Sequence, residues 1–332
     1  MSTNTAGRIA TRLSRRRARS SAPAGDLFFC RHAAIQSLCR NVRPNGKPWQ
    51  VAVRLLALAS EHWQIVGSGG QATLDVTLEG KVAIITGGSR GIGQGIAEEF
   101  LMSGARAVVV TTRRQENADA ACEAIAEAVG ADAAARLQAV VARADSADDA
   151  HTTVAAVVAE HGSCDILVNN AGTNPAPGHM GEVDLAAVDK TWAVNQRGPL
   201  AWAQAAWQGW MKEHGGVIIN TASVGGLMPG PYIGAYNVSK AALIHLTRQM
   251  AMDMAPTVRV NAVAPAVVKT RLSEMLWSTN EQAAIDQHPL KRLGTPGDVA
   301  NAVTFLASDR ASWITGITMP IDGGVSGCGG GG

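Results

Sequence analysis

Residues 81–93 read K-V-A-I-I-T-G-G-S-R-G-I-G. An apolar run that ends in glycines and leads into a helical stretch is typical of a buried strand that turns into a helix. Glycines let the backbone turn tightly and approach a phosphate, whose charge is favoured at the N-terminus of the following helix. The stretch therefore predicts a dinucleotide-binding turn, although these residues alone also fit a tight turn that binds nothing.

Short apolar runs alternate with alanine-rich stretches over the rest of the chain. The predicted strands are Val82–Thr86, Ala107–Thr111, Leu137–Ala142, Ile166–Asn169, Val217–Thr221, Val258–Val263 and Ile317–Pro320. The predicted helices include Gln115–Val129, Asp148–His161, Leu185–Lys212 and Ala235–Met254. Continuous Val and Ile runs indicate strands that are covered on both faces. The pattern predicts an α/β fold of the Rossmann type, a doubly wound, seven-stranded parallel sheet with helices on both faces.

Composition restricts the class of protein. The 332 residues are 46% hydrophobic and 17% charged, which is enough apolar material for a large core and too much for a disordered chain. Five widely spaced cysteines without a C-x-x-C pair fit neither a disulfide framework nor a zinc site, and we predict no metal site. The chain has no apolar run long enough to span a membrane, so no membrane partner is expected.

Charge is distributed unevenly. Residues 1–73 carry eleven Lys and Arg against two acids, a net charge of +9, so the remainder carries −7 of the total +2. A body of that sign has no broad basic face, which excludes nucleic acid as a partner. We expect a basic, poorly ordered N-terminal extension over 1–73, a single α/β domain over 74–326 and a glycine-rich tail over 327–332. A cytoplasmic location is expected, with import into an organelle through the Arg-rich start as the alternative.

Seven ordered motifs between about Leu78 and Gly324 resemble those of the short-chain dehydrogenase/reductase family. They are T-G-x-x-x-G-x-G at Thr86, Gly87, Gly91 and Gly93, an acid at Asp145, N-N-A-G at Asn169–Gly172, Asn195, Ser223, Y-x-x-x-K at Tyr236 and Lys240, and N-x-x-x-P with a later threonine at Asn261, Pro265 and Thr270. Ala266 departs from the pattern, because the family usually has glycine after that proline. We expect cofactor binding to survive this small change.

The resemblance implies that the glycine turn binds a nicotinamide dinucleotide. The residues that it assigns to the cofactor are Gly87, Ser89, Arg90, Gly91, Ile92, Gly93, Arg113, Asp145, Asn169, Ala171, Gly172, Tyr236, Lys240, Pro265, Val268 and Thr270. An acid at the end of the second strand would accept from a ribose 2′-hydroxyl, whereas an arginine there would hold a 2′-phosphate. Thr111–Arg114 has two arginines and no acid, which favours NADP(H) over NAD(H), with Arg113 as the phosphate ligand.

Tyr236 and Lys240 are four residues apart, on one face of a predicted helix. An ammonium about 4 Å from a phenol, at an effective dielectric near 20, stabilises the phenolate by roughly 4 kcal/mol, or about 3 pKa units. That shift would bring the ordinary tyrosine pKa of about 10 to near 7, where the group can act as a general acid and base. The pair alone also fits a helix-surface contact without a function.

The resemblance also assigns catalytic roles. It implies proton transfer at Tyr236, a substrate hydrogen bond at Ser223, pKa lowering and ribose binding by Lys240, and an ordered water at Asn195. The expected activity is NADP(H)-dependent interconversion of a ketone or aldehyde and an alcohol, as in the carbonyl reductases of the family. The alternatives are an NAD-dependent secondary-alcohol dehydrogenase, a 3-oxoacyl-carrier-protein reductase, and a nucleotide sensor that has lost catalysis.

Substrate contacts are expected beyond the carboxyl ends of the strands. The candidate segments are Asn174–Pro175, Val224–Ile233 and the lid-like Leu272–His288, with Met228, Ile233 and Trp277 as apolar lining for a small-molecule carbonyl or alcohol. Arg271 and Arg292 could contact an acidic carrier protein or could be plain surface charges. A group of tryptophans, Trp192, Trp202, Trp207 and Trp210, fits either a subunit contact or core packing, and the resemblance implies a homotetramer or homodimer.

Overall fold

Seven parallel strands form the centre of the fold in a computed structural model, which describes residues 76–328. The strands are β1 (Val82–Thr86), β2 (Ala107–Thr112), β3 (Leu137–Val141), β4 (Ile166–Asn169), β5 (Gly216–Thr221), β6 (Val258–Pro265) and β7 (Thr318–Ile321). They lie in the order β3-β2-β1-β4-β5-β6-β7, and every neighbouring pair is parallel. The predicted Rossmann-type, seven-stranded fold is confirmed.

Helices connect the strands and cover both faces of the sheet. They are α1 (Gly91–Met102), α2 (Gln115–Val129), α3 (Ala131–Ala134), α4 (Ala147–His161), α5 (Leu185–Trp192), α6 (Gly198–Ala206), α7 (Lys212–His214), α8 (Gly234–Asp253), α9 (Glu281–Asp286) and α10 (Pro296–Ala307). Two π-helical turns, Ala193–Arg197 and Trp207–Met211, join α5, α6 and α7. The sequence predicted one helix over Leu185–Lys212, and the structure has a helical rod that these turns interrupt twice.

Local sequence signals explain several helix ends. The Ser146 hydroxyl accepts from the Asp149 N–H and begins α4, and Gly162, with φ 74°, ends it. Thr295 and Asp298 form a capping box at the start of α10, where Pro296 takes a first-turn position. Each of these residue types satisfies or relieves backbone groups that a helix end would leave unpaired.

Two apolar layers hold the helices on the sheet. The strand residues alternate between them, so that Ala83 and Ile85 of β1 face one layer while Val82 and Ile84 face the other. The first layer is completed by α1, α2 and α10, and the second by α4, α6 and α8. Because both faces are covered, β1, β2 and β4 are buried along their whole length, as their Val and Ile runs predicted.

The tryptophans divide between the two alternatives. Trp202 is fully buried, and Trp207 and Trp210 pack against the same apolar layer, so core packing explains these three. Trp210 also stacks on His214, with 3.6 Å between the ring centroids. Trp192 is 43% exposed and is not accounted for by core packing.

Strand order places the site. The chain winds from β1 outward to β3 and then returns to β4 on the other side of β1, so loops leave the carboxyl ends of β1 and β4 in opposite directions. A crevice forms where the winding reverses, and ligands of open α/β sheets bind there. The expected extension over 1–73 and residues 329–332 of the expected tail lie outside the described residues. Within 76–328, no helix has both the length and the apolar character needed to cross a bilayer.

Phe100→Ala should lower the free energy of unfolding by about 3–5 kcal/mol, because it opens a cavity between α1 and the sheet. Phe100 is fully buried, whereas Met102 on the same helix is 65% exposed. Met102→Ala should therefore change stability by less than about 0.5 kcal/mol. Urea unfolding followed by circular dichroism measures both, and equal losses would contradict this assignment of the core.

Candidate active site

The glycine turn between β1 and α1 is tightly packed. Gly87 and Gly91 have φ values of 64° and 57°, a region that other residues rarely adopt. A Cβ on Gly93 would lie 2.5 Å from the Gly87 carbonyl oxygen and would also overlap the Asn170 amide. Helix α1 has no side-chain cap, so its first N–H groups are available to an anion. The turn therefore has the backbone shape and the uncapped helix start that suit a phosphate-bearing ligand, and binding there stays a prediction.

The segment after β4 is cross-linked to this turn. The Thr86 hydroxyl accepts from the backbone N–H groups of Asn170 and Ala171, at 3.0 and 3.1 Å. In return, Asn170 Nδ2 donates to the carbonyl oxygens of Thr86 and Gly87, both at 3.1 Å. These four bonds fix the two loops at the crevice relative to each other, and they give Thr86 and Asn170 a positioning role in the fold.

Two motif asparagines serve the fold through their side chains. Asn169 Nδ2 donates to Asn220 Oδ1 at 2.9 Å and to the Pro199 carbonyl at 3.2 Å, so its side chain points into the layer beneath the crevice. Asn261 bonds the segment before β7 through the Ile314 carbonyl at 2.8 Å. Asn169 was predicted to bind the cofactor; its side-chain nitrogen is bonded within the fold, and cofactor binding by this residue stays a prediction.

Ser223, Tyr236 and Lys240 come together beyond the carboxyl end of β5. Ser223 follows that strand by two residues, and its hydroxyl accepts from the Gly225 N–H at 3.1 Å. Tyr236 lies in the first turn of α8 and Lys240 one turn later, with the ammonium 5.6 Å from the centroid of the phenol ring. The Lys240 ammonium donates to the Thr221 carbonyl at 2.7 Å and is 2% exposed. Within 76–328 this carbonyl is its one hydrogen-bond acceptor.

Burial controls the protonation of this group. It lowers the pKa of Lys240 to about 8, which leaves the side chain mostly charged at neutral pH. Burial also raises the pKa of Tyr236, and the neighbouring Ser223 hydroxyl opposes that effect only in part. The sequence argument predicted a lowered Tyr236 pKa because it counted the ammonium charge and not the desolvation of the phenolate. The phenol of the unliganded protein is thus protonated at neutral pH and can donate.

Asn195 lies in the π turn between α5 and α6 and is fully buried. Its amide bonds both backbone groups of Thr173 and the hydroxyl of Ser239. Sequence reasoning singled out Asn195 but missed Thr173 and Ser239. A serine inside the Y-x-x-x-K helix was the available signal for Ser239, whereas a backbone partner such as Thr173 leaves none.

The end of β2 carries exposed guanidinium groups. Arg113 and Arg114 follow the buried Thr112, and Arg90 lies in the glycine turn, which a Gly88 N–H bond to the Thr111 carbonyl holds against β2 at 3.2 Å. Among the residues that the structure describes, neither Arg90 nor Arg113 forms a salt bridge. Their charge is thus free for an external anion at the place where a ribose phosphate was expected.

Asp145 follows β3 and already has partners. Arg143 and Lys190 lie 3.1 and 2.6 Å from its carboxylate and hold the pKa of Asp145 well below its usual range. Lys190 belongs to α5, so the ion pair ties that helix to the end of β3. Asp145 is thus an ionised carboxylate held between two cations, and its contact with the cofactor stays a prediction.

The segment after β6 reaches the glycine turn. A Cβ on Gly91 would lie 3.1 Å from Thr270 Cγ2, which brings Thr270 next to α1. Val268 is buried and pairs with Gly294. Ala266 is not among the residues with positive φ, and its N–H donates to the Ile321 carbonyl at 3.2 Å. The added methyl at Ala266 is therefore compatible with the backbone conformation, and the survival of cofactor binding stays a prediction.

Apolar side chains surround the predicted substrate segments. The Gly178 N–H donates to the Tyr232 carbonyl at 2.8 Å and joins the loop after β4 to the loop before α8. Exposed apolar side chains from these loops and from the lid-like segment are Met180, Met228, Leu272, Met275 and Leu276. Arg292 forms two bonds of 2.7 Å with Asp298 at the start of α10, so that candidate contact for a carrier protein is already engaged.

Known proteins resemble this chain in sequence and in fold. A family model described as Enoyl-(Acyl carrier protein) reductase matches residues 87–326. The Homo sapiens protein named Dehydrogenase/reductase SDR family member 4 is 38% identical over 276 residues, which cover 82% of this chain and 97% of that protein. Tropinone reductase-like 3 from Erythroxylum coca is 36% identical, and the match covers 74% of this chain and 93% of that protein.

A solved structure resembles the fold as well. It is that of 3-ketoacyl-(acyl-carrier-protein) reductase from Brucella melitensis complexed with NADH, which has a TM-score of 0.67 and 35% identity to this chain. The match covers 75% of this chain and 100% of the Brucella chain. Sequence and structure therefore point to the same group of proteins, and both matches lie in the region that contains the glycine turn and Tyr236.

Gly93→Ala should weaken the binding of NADPH and NADH by roughly tenfold or more, because the added methyl overlaps the glycine turn. Gly297→Ala is the control, since a Cβ there would meet nothing nearer than Thr295 Oγ1 at 3.8 Å. Fluorescence titration of each dinucleotide measures the affinity. Equal affinities in the two variants would show that the turn does not bind the dinucleotide.

Proposed function

This chain belongs to the short-chain dehydrogenase/reductase family and is an oxidoreductase acting on CH–OH donors; from that premise we propose that it interconverts ketones or aldehydes and alcohols with NADP(H). The observation that carries the proposal is the group of Ser223, Tyr236 and Lys240 at one end of β5, beside a glycine turn that fits a dinucleotide. We treat all four of Asn195, Ser223, Tyr236 and Lys240 as the catalytic set.

The crevice offers donors for each part of the cofactor. The uncapped start of α1 would hold the pyrophosphate, Arg113 and Arg90 the 2′-phosphate, and Lys240 the nicotinamide ribose. Backbone groups along the crevice complete the site at Ser89, Ile92, Ala171, Gly172, Pro265, Val268 and Thr270. When bound, the nicotinamide supplies or accepts the hydride. Two free guanidinium groups and no acid at the end of β2 favour NADP(H) over NAD(H).

Proton transfer falls to Tyr236. Its phenol is protonated at neutral pH and would donate to the carbonyl oxygen of a ketone, which accepts negative charge during reduction. Ser223 would hold the same oxygen beside the phenol, and the Lys240 ammonium would stabilise the phenolate left behind. Both N–H groups of the Asn195 side-chain amide already have acceptors in the protein. A water at this residue would therefore donate to an oxygen atom of Asn195.

An apolar, small carbonyl compound is the substrate class that fits the site. The loops around Tyr236 expose methionine and leucine side chains, and the charge of Arg292 is taken up by Asp298. Reduction of a 3-oxoacyl carrier-protein ester is the second candidate, favoured by the likeness to the Brucella structure and by the exposure of Arg271. An acyl-carrier-protein thioester tested beside its free N-acetylcysteamine analogue would separate the two.

Assembly and location are part of the proposal. Trp192 and Val238, on α5 and α8, are 43% and 55% exposed, and such apolar side chains favour burial against another subunit. We propose a homotetramer or homodimer in the cytoplasm, with residues 74–326 as the catalytic domain. Light scattering on the purified chain tests the assembly.

Tyr236→Phe should lower kcat by at least about 100-fold, because it removes the proton donor and leaves the ring in place. NADPH affinity should change less than about threefold, since the phenol is not the main cofactor ligand. NADPH absorbance with a panel of ketones and aldehydes gives kcat, and fluorescence titration gives the affinity. A variant that turns over like the wild type would refute the role of Tyr236.

Arg113→Asp should shift the preference from NADPH toward NADH by roughly 10–100-fold, because a carboxylate repels the 2′-phosphate that a guanidinium binds. Arg310→Asp is the matched control, an exposed arginine next to Asp309, whose carboxylate lies 3.6 Å from the Lys81 ammonium at the amino end of β1, the end opposite the crevice. The ratio of kcat/KM for the two cofactors measures the effect. An unchanged ratio in Arg113→Asp would refute Arg113 as the ligand of the 2′-phosphate, whereas a wild type that prefers NADH would favour the NAD-dependent alternative.

A further inference from the structure

Ser239 occupies a position that the proposed proton transfer does not explain. It lies between Tyr236 and Lys240 in the sequence and is fully buried. Its hydroxyl donates to the Tyr236 carbonyl at 2.7 Å and accepts from Asn195 Nδ2 at 3.0 Å. A hydroxyl has one hydrogen to donate, so its orientation is fixed and its lone pair is directed at Asn195.

Both N–H groups of the Asn195 side-chain amide have partners, and Ser239 is one of the two. Nδ2 donates to the Thr173 carbonyl at 2.9 Å and Oδ1 accepts from the Thr173 N–H at 2.9 Å. A primary amide has two N–H donors, and the second is the one that Ser239 accepts. Without the Ser239 oxygen, that donor would stay buried and unpaired, which favours rotation of the amide away from Thr173.

Thr173 begins the loop that continues into Asn174–Pro175, where a substrate contact is expected. It follows Gly172, where an added Cβ would lie 3.6 Å from Lys240 Nζ and 3.7 Å from Asn195 Oδ1. It precedes Asn174, whose buried Oδ1 has no protein partner within the described part of the chain. A displacement of Thr173 is therefore a displacement of the wall beside the Lys240 ammonium and of the Asn174 side chain that follows it.

We infer that Ser239 is a positioning residue for carbonyl reduction: through Asn195 it holds the Thr173 loop in register with the Tyr236 phenol. The inference rests on the proposed function and adds a residue to it. The hydroxyl does not touch the reacting atoms. It fixes the distance between the wall that orients the substrate and the group that protonates it, and a misplacement of about 1 Å at such a site costs roughly 100-fold in rate.

Helix α8 also contains a matched control. Thr247 is fully buried, its hydroxyl donates to the Leu243 carbonyl at 2.8 Å and it accepts from Asn220 Nδ2 at 2.9 Å. Thr247 therefore matches Ser239, because each is a helix hydroxyl that accepts a hydrogen bond from a buried asparagine amide. Asn220 lies in β5 and its partners are Asn169 and Thr247, none of which belongs to the Thr173 loop.

The test compares Ser239→Ala with Thr247→Val in the full chain. Each substitution removes the hydroxyl that accepts a hydrogen bond from a buried asparagine amide, so both should lower the melting temperature. Ser239→Ala should lower kcat for acetophenone or 2-decanone by roughly 10–100-fold, while NADPH affinity stays within about twofold. Thr247→Val should keep kcat within about twofold. Ser239→Cys, which keeps a weak acceptor, should fall between the wild type and the alanine variant, and it carries the same test should the alanine chain not fold.

Two different failures can be told apart. A wild type that oxidises NADPH with neither ketone, nor with any member of the wider panel, would overturn the proposed function and the role of Ser239 with it. An active wild type whose Ser239 variants lose no more kcat than Thr247→Val would overturn the positioning role alone. A larger kcat loss confined to the Ser239 variants supports it.

Discussion

A buried ammonium is the constraint on which the rest of the site depends. Within the described residues Lys240 has a carbonyl oxygen as its acceptor and no carboxylate, so its charge is desolvated without being neutralised. A pKa of about 8 shows that the fold stops short of expelling the proton. Strand β5 supplies the carbonyl and helix α8 supplies the lysine, and their contact keeps the charge beside the Tyr236 phenol.

The same helix is fixed to the sheet through polar contacts in its core. Asn169, Asn220 and Thr247 form a buried chain from β4 through β5 to α8. Each member makes at least one of these buried bonds, and together the bonds fasten the middle of α8 to the sheet. These contacts hold the helix that carries Tyr236 and Lys240, and they involve neither of those two side chains.

Sequence predicted most of the fold, because its signals are local. The predicted ends of β1 and β4, which rest on Val and Ile runs, are correct, and α2 spans Gln115–Val129 as predicted. The π turn around Asn195 and the contacts of Ser239 could not be predicted, since they depend on side chains that meet only after helices pack. The raised Tyr236 pKa was missed for a related reason: spacing reveals a neighbouring charge, whereas desolvation depends on the whole surrounding structure.

The crevice has two parts that differ in how well they tolerate substitution: the packed turn at Gly93 and the exposed rim at Arg113. The turn is closed by backbone on several sides, so its geometry tolerates almost no drift and suits the pyrophosphate that all nicotinamide dinucleotides share. Arg113 lies on the exposed rim, where replacement disturbs no packed neighbour. On the proposed assignment of Arg113, exchange of one metabolic electron carrier for the other would need a change only at the rim, while the turn that grips both remains unaltered.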